Sequence, residues 1–224
     1  MNRMEKTAIS TDRKISRGRS ELREDIEKLV FNNDIINTNI KLIVTHIAGV
    51  DSFIIYEMIS EPRNEDLKNE GIHTVLYDYE RENPNVKILN TDFKEEVKAY
   101  YDSKNATEAL LRNAEGGILE GSRTNLYFIK DGKIYTPESK SVLIGITRTK
   151  VIEIIKSKGY EIVECTINTS DLDKVDAAFI SGTTVDVLPI KSIEDIVLNS
   201  QDNPIVKDII EGFEEEKIKS LNGK

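Results

Sequence analysis

The chain has little with which to make covalent or metal cross-links. A single cysteine, Cys165, in 224 residues leaves no partner for an intrachain disulfide, which fits a reducing cytoplasm. The two histidines, His46 and His73, are widely separated, with no cysteine or acid at ligand spacing, so no metal site is expected. No run approaches the roughly eighteen consecutive apolar residues of a membrane span. The polar N-terminus lacks the charged-then-apolar pattern of a secretory signal, so neither membrane insertion nor export is expected. Cations are outnumbered, 31 Lys and Arg against 40 Asp and Glu, for a net charge of −9. That balance argues against an extended nucleic-acid or anionic-membrane surface. The one basic run, Arg13-Lys14, Arg17 and Arg19, is answered by Glu21, Glu24, Asp25 and Glu27.

What is present suits a folded chain. Hydrophobic residues make up 38% and charged residues 32%, above the level at which a core cannot form. At 224 residues the chain is long for one average domain and short for two, so two compact lobes sharing a cleft are expected. There is no internal repeat, no low-complexity segment, and no nucleophile elbow for Ser/His/Asp catalysis.

Periodicity gives a coarse order of elements. The stretch to Gly18 reads as irregular or partly helical. From Ser20, a plausible N-cap, Leu22, Ile26, Leu29 and Val30 fall on one helix face. Three β-rich runs follow, Ile40 to Ile47, Phe53 to Ile59 and His73 to Tyr79, making residues 1–80 a small α+β lobe. Residues 81–86, charged and containing Pro84, read as a connector, and 87–224 as a larger, strand-rich lobe. Within it, Phe93, Val97, Tyr100 and Tyr101 mark a helix, and Glu108 to Arg112 a strand that leads through a turn at Glu115-Gly-Gly117. Asp131-Gly132 between two apolar runs signals a tight hairpin. Thr147 can cap a helix carrying Val151, Ile152, Ile154 and Ile155, which Gly159 ends. Strands at Glu161 to Ile167, Ala177 to Ile180 and Val185 to Ile190 precede a last helix near Pro204 to Leu221. Cys165, inside the first of these strands, reads as a small buried or half-buried hydrophobe.

Four short motifs follow one another in the larger lobe: Lys87-Ile-Leu-Asn90, Glu120-Gly-Ser-Arg-Thr-Asn125, Leu143-Ile-Gly-Ile-Thr-Arg148 and Ser181-Gly-Thr-Thr184. Singly they have ordinary readings: a solvated lysine, a strand-end glutamate beside a glycine turn, a threonine N-cap and a surface turn. Together they offer an amine, a carboxylate, a helix N-terminus able to take an anion, and a hydroxyl-rich loop. In order and content they resemble the class IV (fold type IV) aminotransferases, the group of branched-chain and D-amino-acid aminotransferases and aminodeoxychorismate lyases. The resemblance covers roughly Lys87 to Ile190.

It implies an α+β, two-lobed fold, a small lobe beside a larger barrel-like, strand-rich lobe with helices, and pyridoxal 5′-phosphate as cofactor. Lys87 would be the Schiff-base lysine, with Lys94 and Lys98 as rivals on the following helix. Glu120 would face the pyridine nitrogen, keeping it protonated. Ile146, Thr147 and Thr183 would hold the phosphate, and the Thr184 amide would receive the substrate carboxylate. Arg148 reads instead as a structural ion-pair partner. The start, Met1-Asn-Arg3-Met-Glu-Lys-Thr7-Ala8, resembles the end of a family segment, His-Leu-x-Arg-Leu-x-x-Ser-Ala, whose arginine grips the phosphate. Arg3 would then be that arginine, or else a frayed terminal one, and the chain would lack the strands the family carries before it. Thr91 stands where branched-chain members place a tyrosine, which leans away from them toward the D-amino-acid-like or unassigned branches. The resemblance implies amino-acid and 2-oxo-acid substrates and a homodimer. An aminotransferase is expected; a 4-amino-4-deoxychorismate lyase and a catalytically silent paralogue are the alternatives.

Overall fold

The computed structural model describes residues 2–15, 17–36, 38–58 and 66–222, and the chain divides into two compact units. The smaller comprises residues 1–62 with 86–88; the larger comprises 63–85 and 89–224.

The smaller unit contains α1 (Asn2–Ser10), α2 (Arg19–Asn32), β1 (Asn39–Ile47) and β2 (Val50–Met58). Helix α2 starts one residue before Ser20, which is therefore not its cap. Gly18 is the N-cap, because the Glu21 carboxylate turns back to accept the Gly18 N–H at 2.7 Å. Leu22 is the buried member of the expected apolar face. β1 and β2 pair antiparallel from Asn39↔Met58 to Ile47↔Val50, turning through Ala48 and Gly49, both at positive φ. Ile59, the expected end of the second run, lies outside the described residues.

The larger unit runs α3 (Asp66–Glu70), β3 (Ile72–Asp78), α4 (Thr91–Ser103), β4 (Glu108–Arg112), β5 (Gly117–Gly121), β6 (Asn125–Lys130) and β7 (Lys133–Thr136). It continues with α5 (Ile146–Ser157), β8 (Ile162–Glu164), β9 (Ile167–Asn168), β10 (Ala177–Gly182), β11 (Asp186–Ile193), β12 (Ile196–Val197) and α6 (Pro204–Asn222). Its strands form one sheet in the order β8-β7-β6-β10-β11-β3-β4-β5-β9, with β12 on β11. β3, expected with the small lobe, sits inside this sheet, parallel to both β11 and β4. The expected strand at 161–167 is two short strands broken at Cys165 and Thr166, and Cys165 is exposed rather than buried.

Alternation divides the sheet's two faces. Leu126, Phe128, Ala178, Ile180, Leu188 and Ile190 point to one side, where Leu110, Ile118 and Ile72 join them. β5 and β6, distant in the strand order, also lie against each other, so the sheet curls around this core. Tyr127, Ile129, Ala177, Phe179 and Val187 face the other side, covered by Val151, Ile154 and Ile155 of α5 and by Val206 and Ile209 of α6. Tyr127 and Phe179 stack there at 4.6 Å. A third cluster packs Phe93, Val97 and Tyr101 of α4 on Val75, Ala109 and Leu111. Burying each of these larger side chains stabilises the fold by roughly 1.5–3 kcal/mol. Strand ends and helix starts between these layers are thereby held by a rigid frame.

Candidate active site

Glu120 lies near the end of β5, opposite Leu111 of β4, and only 4% of it is exposed. A buried carboxylate needs partners. Arg81 supplies one, its Nε donating to Oε1 at 2.7 Å, and the Leu143 N–H donates to Oε2 at 3.1 Å. The same guanidinium donates through Nη2 to the Ser122 carbonyl at 2.9 Å and lies over the Phe93 ring. Arg81 is a residue that the sequence reading passed over. In a charged, proline-containing stretch it looks like a solvated connector residue, and nothing local separates it from its neighbours.

Leu143 belongs to the segment between β7 and α5, and this segment is pinned from several sides. Asn125 Nδ2 donates to the Leu143 carbonyl at 2.8 Å. Arg148, buried in the first turn of α5, donates to the Pro137 carbonyl at 3.0 Å and the Ser139 hydroxyl at 3.2 Å, with Glu164 at 3.8 Å. That is the structural role expected of it.

Gly145 is the N-cap of α5, so Thr147 is not; the threonine sits one position beyond Ile146, inside the first turn. The reason is spatial. A Cβ on residue 145 would stand 2.8 Å from Asn125 Oδ1, so the extended chain passes there only as glycine. A glycine cap brings no side chain to the first-turn N–H groups, which also have no intrahelical acceptors, and a twelve-residue helix adds its dipole. A helix start of this kind is able to take an anion.

β10 pairs with β6 so that Ser181 is opposite Asn125, and the Ser181 hydroxyl lies 3.3 Å from that of Tyr127. Burial raises the Tyr127 phenol to about 12, keeping it neutral. A Cβ on Gly182 would stand 3.3 Å from the Thr124 and Val185 methyls, and Thr183 and Thr184 follow, exposed, in the turn to β11. Asn125 therefore ties together the Glu120 partner Leu143, the Gly145 helix start and the end of β10. Ile146 and Thr147 follow that helix start, and Thr183 and Thr184 follow the end of β10.

Lys87 and Arg3 belong to the smaller unit. The Lys87 N–H is 3.5 Å from Thr7 Oγ1, its side chain is exposed, and desolvation lowers the Arg3 guanidinium pKa. The rival lysines lie on the exposed side of α4, Lys98 paired to Asp102. Asn90 caps that helix, its Oδ1 accepting the Phe93 N–H at 3.1 Å. His46 pairs with Asp51 and His73 with Ser192, and among the described residues no group of His, Cys, Asp and Glu is arranged to hold a metal.

A family model for amino-transferase class IV matches residues 1–193. The chain belongs to the class IV aminotransferases. Among curated proteins, the D-alanine aminotransferase of Listeria monocytogenes is 31% identical over 232 residues, covering 96% of this chain and 80% of the relative. Among solved structures, the branched-chain amino acid aminotransferase of T.th., bound to pyridoxamine 5′-phosphate, superposes with a TM-score of 0.84 at 25% identity, over 96% of this chain and 76% of that one. A Legionella pneumophila structure described as a putative 4-amino-4-deoxychorismate lyase has the same fold, TM-score 0.83 over 96% of this chain and 83% of that one. At 18% identity it carries the fold alone, and the lyase alternative is not favoured. As a class IV aminotransferase the chain is a transaminase, and the donor set fits the pyridoxal phosphate such enzymes use: a buried, cation-backed carboxylate, and beside it a glycine-capped helix start with threonine hydroxyls.

Proposed function

We propose that this chain transfers an amino group between an amino acid and a 2-oxo acid with pyridoxal phosphate held by Lys87, Glu120, Ile146, Thr147, Thr183 and Arg3. The observation that supports this best is Glu120. It is a buried carboxylate kept beside a cation and a peptide N–H, at the corner where α5 offers free amides. When bound, the cofactor supplies an aldehyde that takes the amino group and a ring that delocalises the electron pair left at the substrate α-carbon.

The chain's own residues do the rest. Lys87 Nζ would hold the cofactor's aldehyde when no substrate is bound, and its free amine would move the proton at the substrate α-carbon as general base and acid. Glu120 holds a proton on the ring nitrogen, because opposite charges in a dry site favour each other. The Ile146 and Thr147 amides, the Thr147 and Thr183 hydroxyls and the Arg3 guanidinium anchor the phosphate. The Thr184 N–H receives the substrate carboxylate and orients the α-carbon for proton transfer. A homodimer in the cytoplasm completes the reading, and the D-alanine aminotransferase relative together with Thr91 points to D-amino acids as donors.

The test is the visible spectrum of the purified protein with added pyridoxal phosphate, before and after a panel of D- and L-amino acids. Loss of the visible band with D-alanine or its neighbours is expected. A band that no amino acid changes, or no band at all, contradicts the proposal, and a response to branched-chain L-amino acids alone overturns the choice of donor.

A further inference from the structure

Beside Glu120 lies a second buried carboxylate for which the transfer reaction has no stated use. Glu108, at the start of β4, is 1% exposed. Its Oε1 accepts from the Ser122 N–H at 3.1 Å, the Ser122 hydroxyl at 2.6 Å and the Ala109 N–H at 3.0 Å. Its Oε2 accepts from the Thr124 hydroxyl at 3.1 Å, and Arg123 Nε stands 3.6 Å away. A buried acid is a costly way to fill a core, where an apolar side chain of similar size commonly does as well or better. What Glu108 provides and an apolar residue cannot is a fixed point for the turn that joins β5 to β6.

That turn is wrapped tightly around the carboxylate. Gly121 donates to the Thr124 carbonyl at 2.8 Å, and a Cβ on Gly121 would collide with Thr124 Oγ1 and stand 3.2 Å from Glu108. Two of its three middle residues, Ser122 and Thr124, give their hydroxyls to Glu108. Ser122 then presents its carbonyl to Arg81 Nη2, and Arg81 Nε holds Glu120. The links run without a gap from Glu108 through Ser122 and Arg81 to Glu120.

We infer that Glu108 is a positioning residue for Glu120, acting through the Ser122 carbonyl and the Arg81 guanidinium. The inference rests on Glu120 being the partner of the cofactor's ring nitrogen. With an amide in place of the Glu108 carboxylate, one of the Ser122 and Thr124 hydroxyls faces an NH2 group instead of an acceptor oxygen, and the turn relaxes. Arg81 then keeps its bond to Glu120 but loses the carbonyl that fixes its plane, and the carboxylate is no longer aimed.

The experiment uses the full chain and pyridoxal phosphate itself, comparing wild type, Glu108→Gln, Arg81→Lys and the double variant. Two quantities are read: the pH midpoint of the bound cofactor's visible band, and kcat against KM for amino transfer. Charged and titratable neighbours among the described residues include Arg123 and Tyr101 at Glu108 and Arg81 at Glu120. Glu108→Gln and Arg81→Lys should move the midpoint in one direction, with the double variant moving it no further than Arg81→Lys alone, since both act on one linkage. The kcat of Glu108→Gln should fall roughly ten- to a hundredfold with KM nearly unchanged, the scale of a misplaced catalytic group. A wild-type band with an unmoved midpoint in Glu108→Gln, or shifts that add, overturns the inference alone. No band in the wild type overturns it together with the proposed function. Should Glu108→Gln not fold, Ser122→Ala cuts the shortest link and should give a smaller shift of the same sign; no shift there also overturns the inference.

Discussion

At the scale of single residues, one side chain both donates and forbids. Asn125 donates from one end of its amide to Leu143, and its oxygen stands where any Cβ on residue 145 would go. Gly145→Ala should therefore push the start of α5 away from Asn125 and spoil the phosphate amides, while leaving the Glu120 partners in place. Titrating the protein with pyridoxal phosphate and with pyridoxal separates the two effects. The affinity for the phosphorylated form should drop at least about tenfold, each 1.4 kcal/mol lost being one such factor. Affinity for pyridoxal should change little, and equal losses for both would place the damage elsewhere. Glu120, Gly145 and Thr147 were legible as motif letters. Arg81 and Glu108 were not, because a charged residue in a polar stretch and an acid at a strand start carry no mark of burial. Only the folded turn from Gly121 to Thr124 shows what they hold.

At the scale of elements, local signals read well and long-range pairings did not. Asp131-Gly132 is the hairpin turn it was expected to be, both residues at positive φ between Lys130 and Lys133. Gly159, at φ 81, ends α5 as anticipated. By contrast, β3 pairs in parallel with strands far along the chain, and parallel pairing leaves no turn in the sequence to announce it. Segment 161–167 breaks at Cys165 and Thr166 because β8 pairs with β7 while β9 pairs with β5, at the opposite end of the strand order.

The two helices covering the outer face are clasped by Lys158, whose Nζ donates to Asp208, and by the Tyr160 hydroxyl, which donates to it at 2.8 Å. The Lys158 bond, then the Tyr160 bond, hold the Asp208 carboxyl below its ordinary 3.8. A carboxyl depressed in the folded state contributes stability that is complete above its ordinary value and is lost as pH falls through the lower folded value. Denaturant unfolding between pH 7 and pH 2 should show that loss in the wild type, and Asp208→Asn should flatten that part of the curve. An unchanged slope would mean the clasp is screened out by solvent, as exposed pairs often are.

At the scale of the whole molecule, exposed apolar side chains bear on assembly. Phe31, Ile36, Ile54 and Tyr56 are exposed apolar side chains of the smaller unit. Light scattering on the purified protein should return twice the 25.4 kDa chain mass, in line with the proposed homodimer, and a single-chain mass at micromolar concentration would remove it. The central claim of the proposed function is that Lys87 and Glu120 serve a single pyridoxal phosphate. Borohydride reduction of the protein with its cofactor, followed by peptide mass mapping, tests this directly. The label should fall on Lys87, and Glu120→Ala should lower the extent of labelling at that same lysine. Label on Lys94, Lys98 or any other lysine, or labelling of Lys87 indifferent to Glu120, would contradict it.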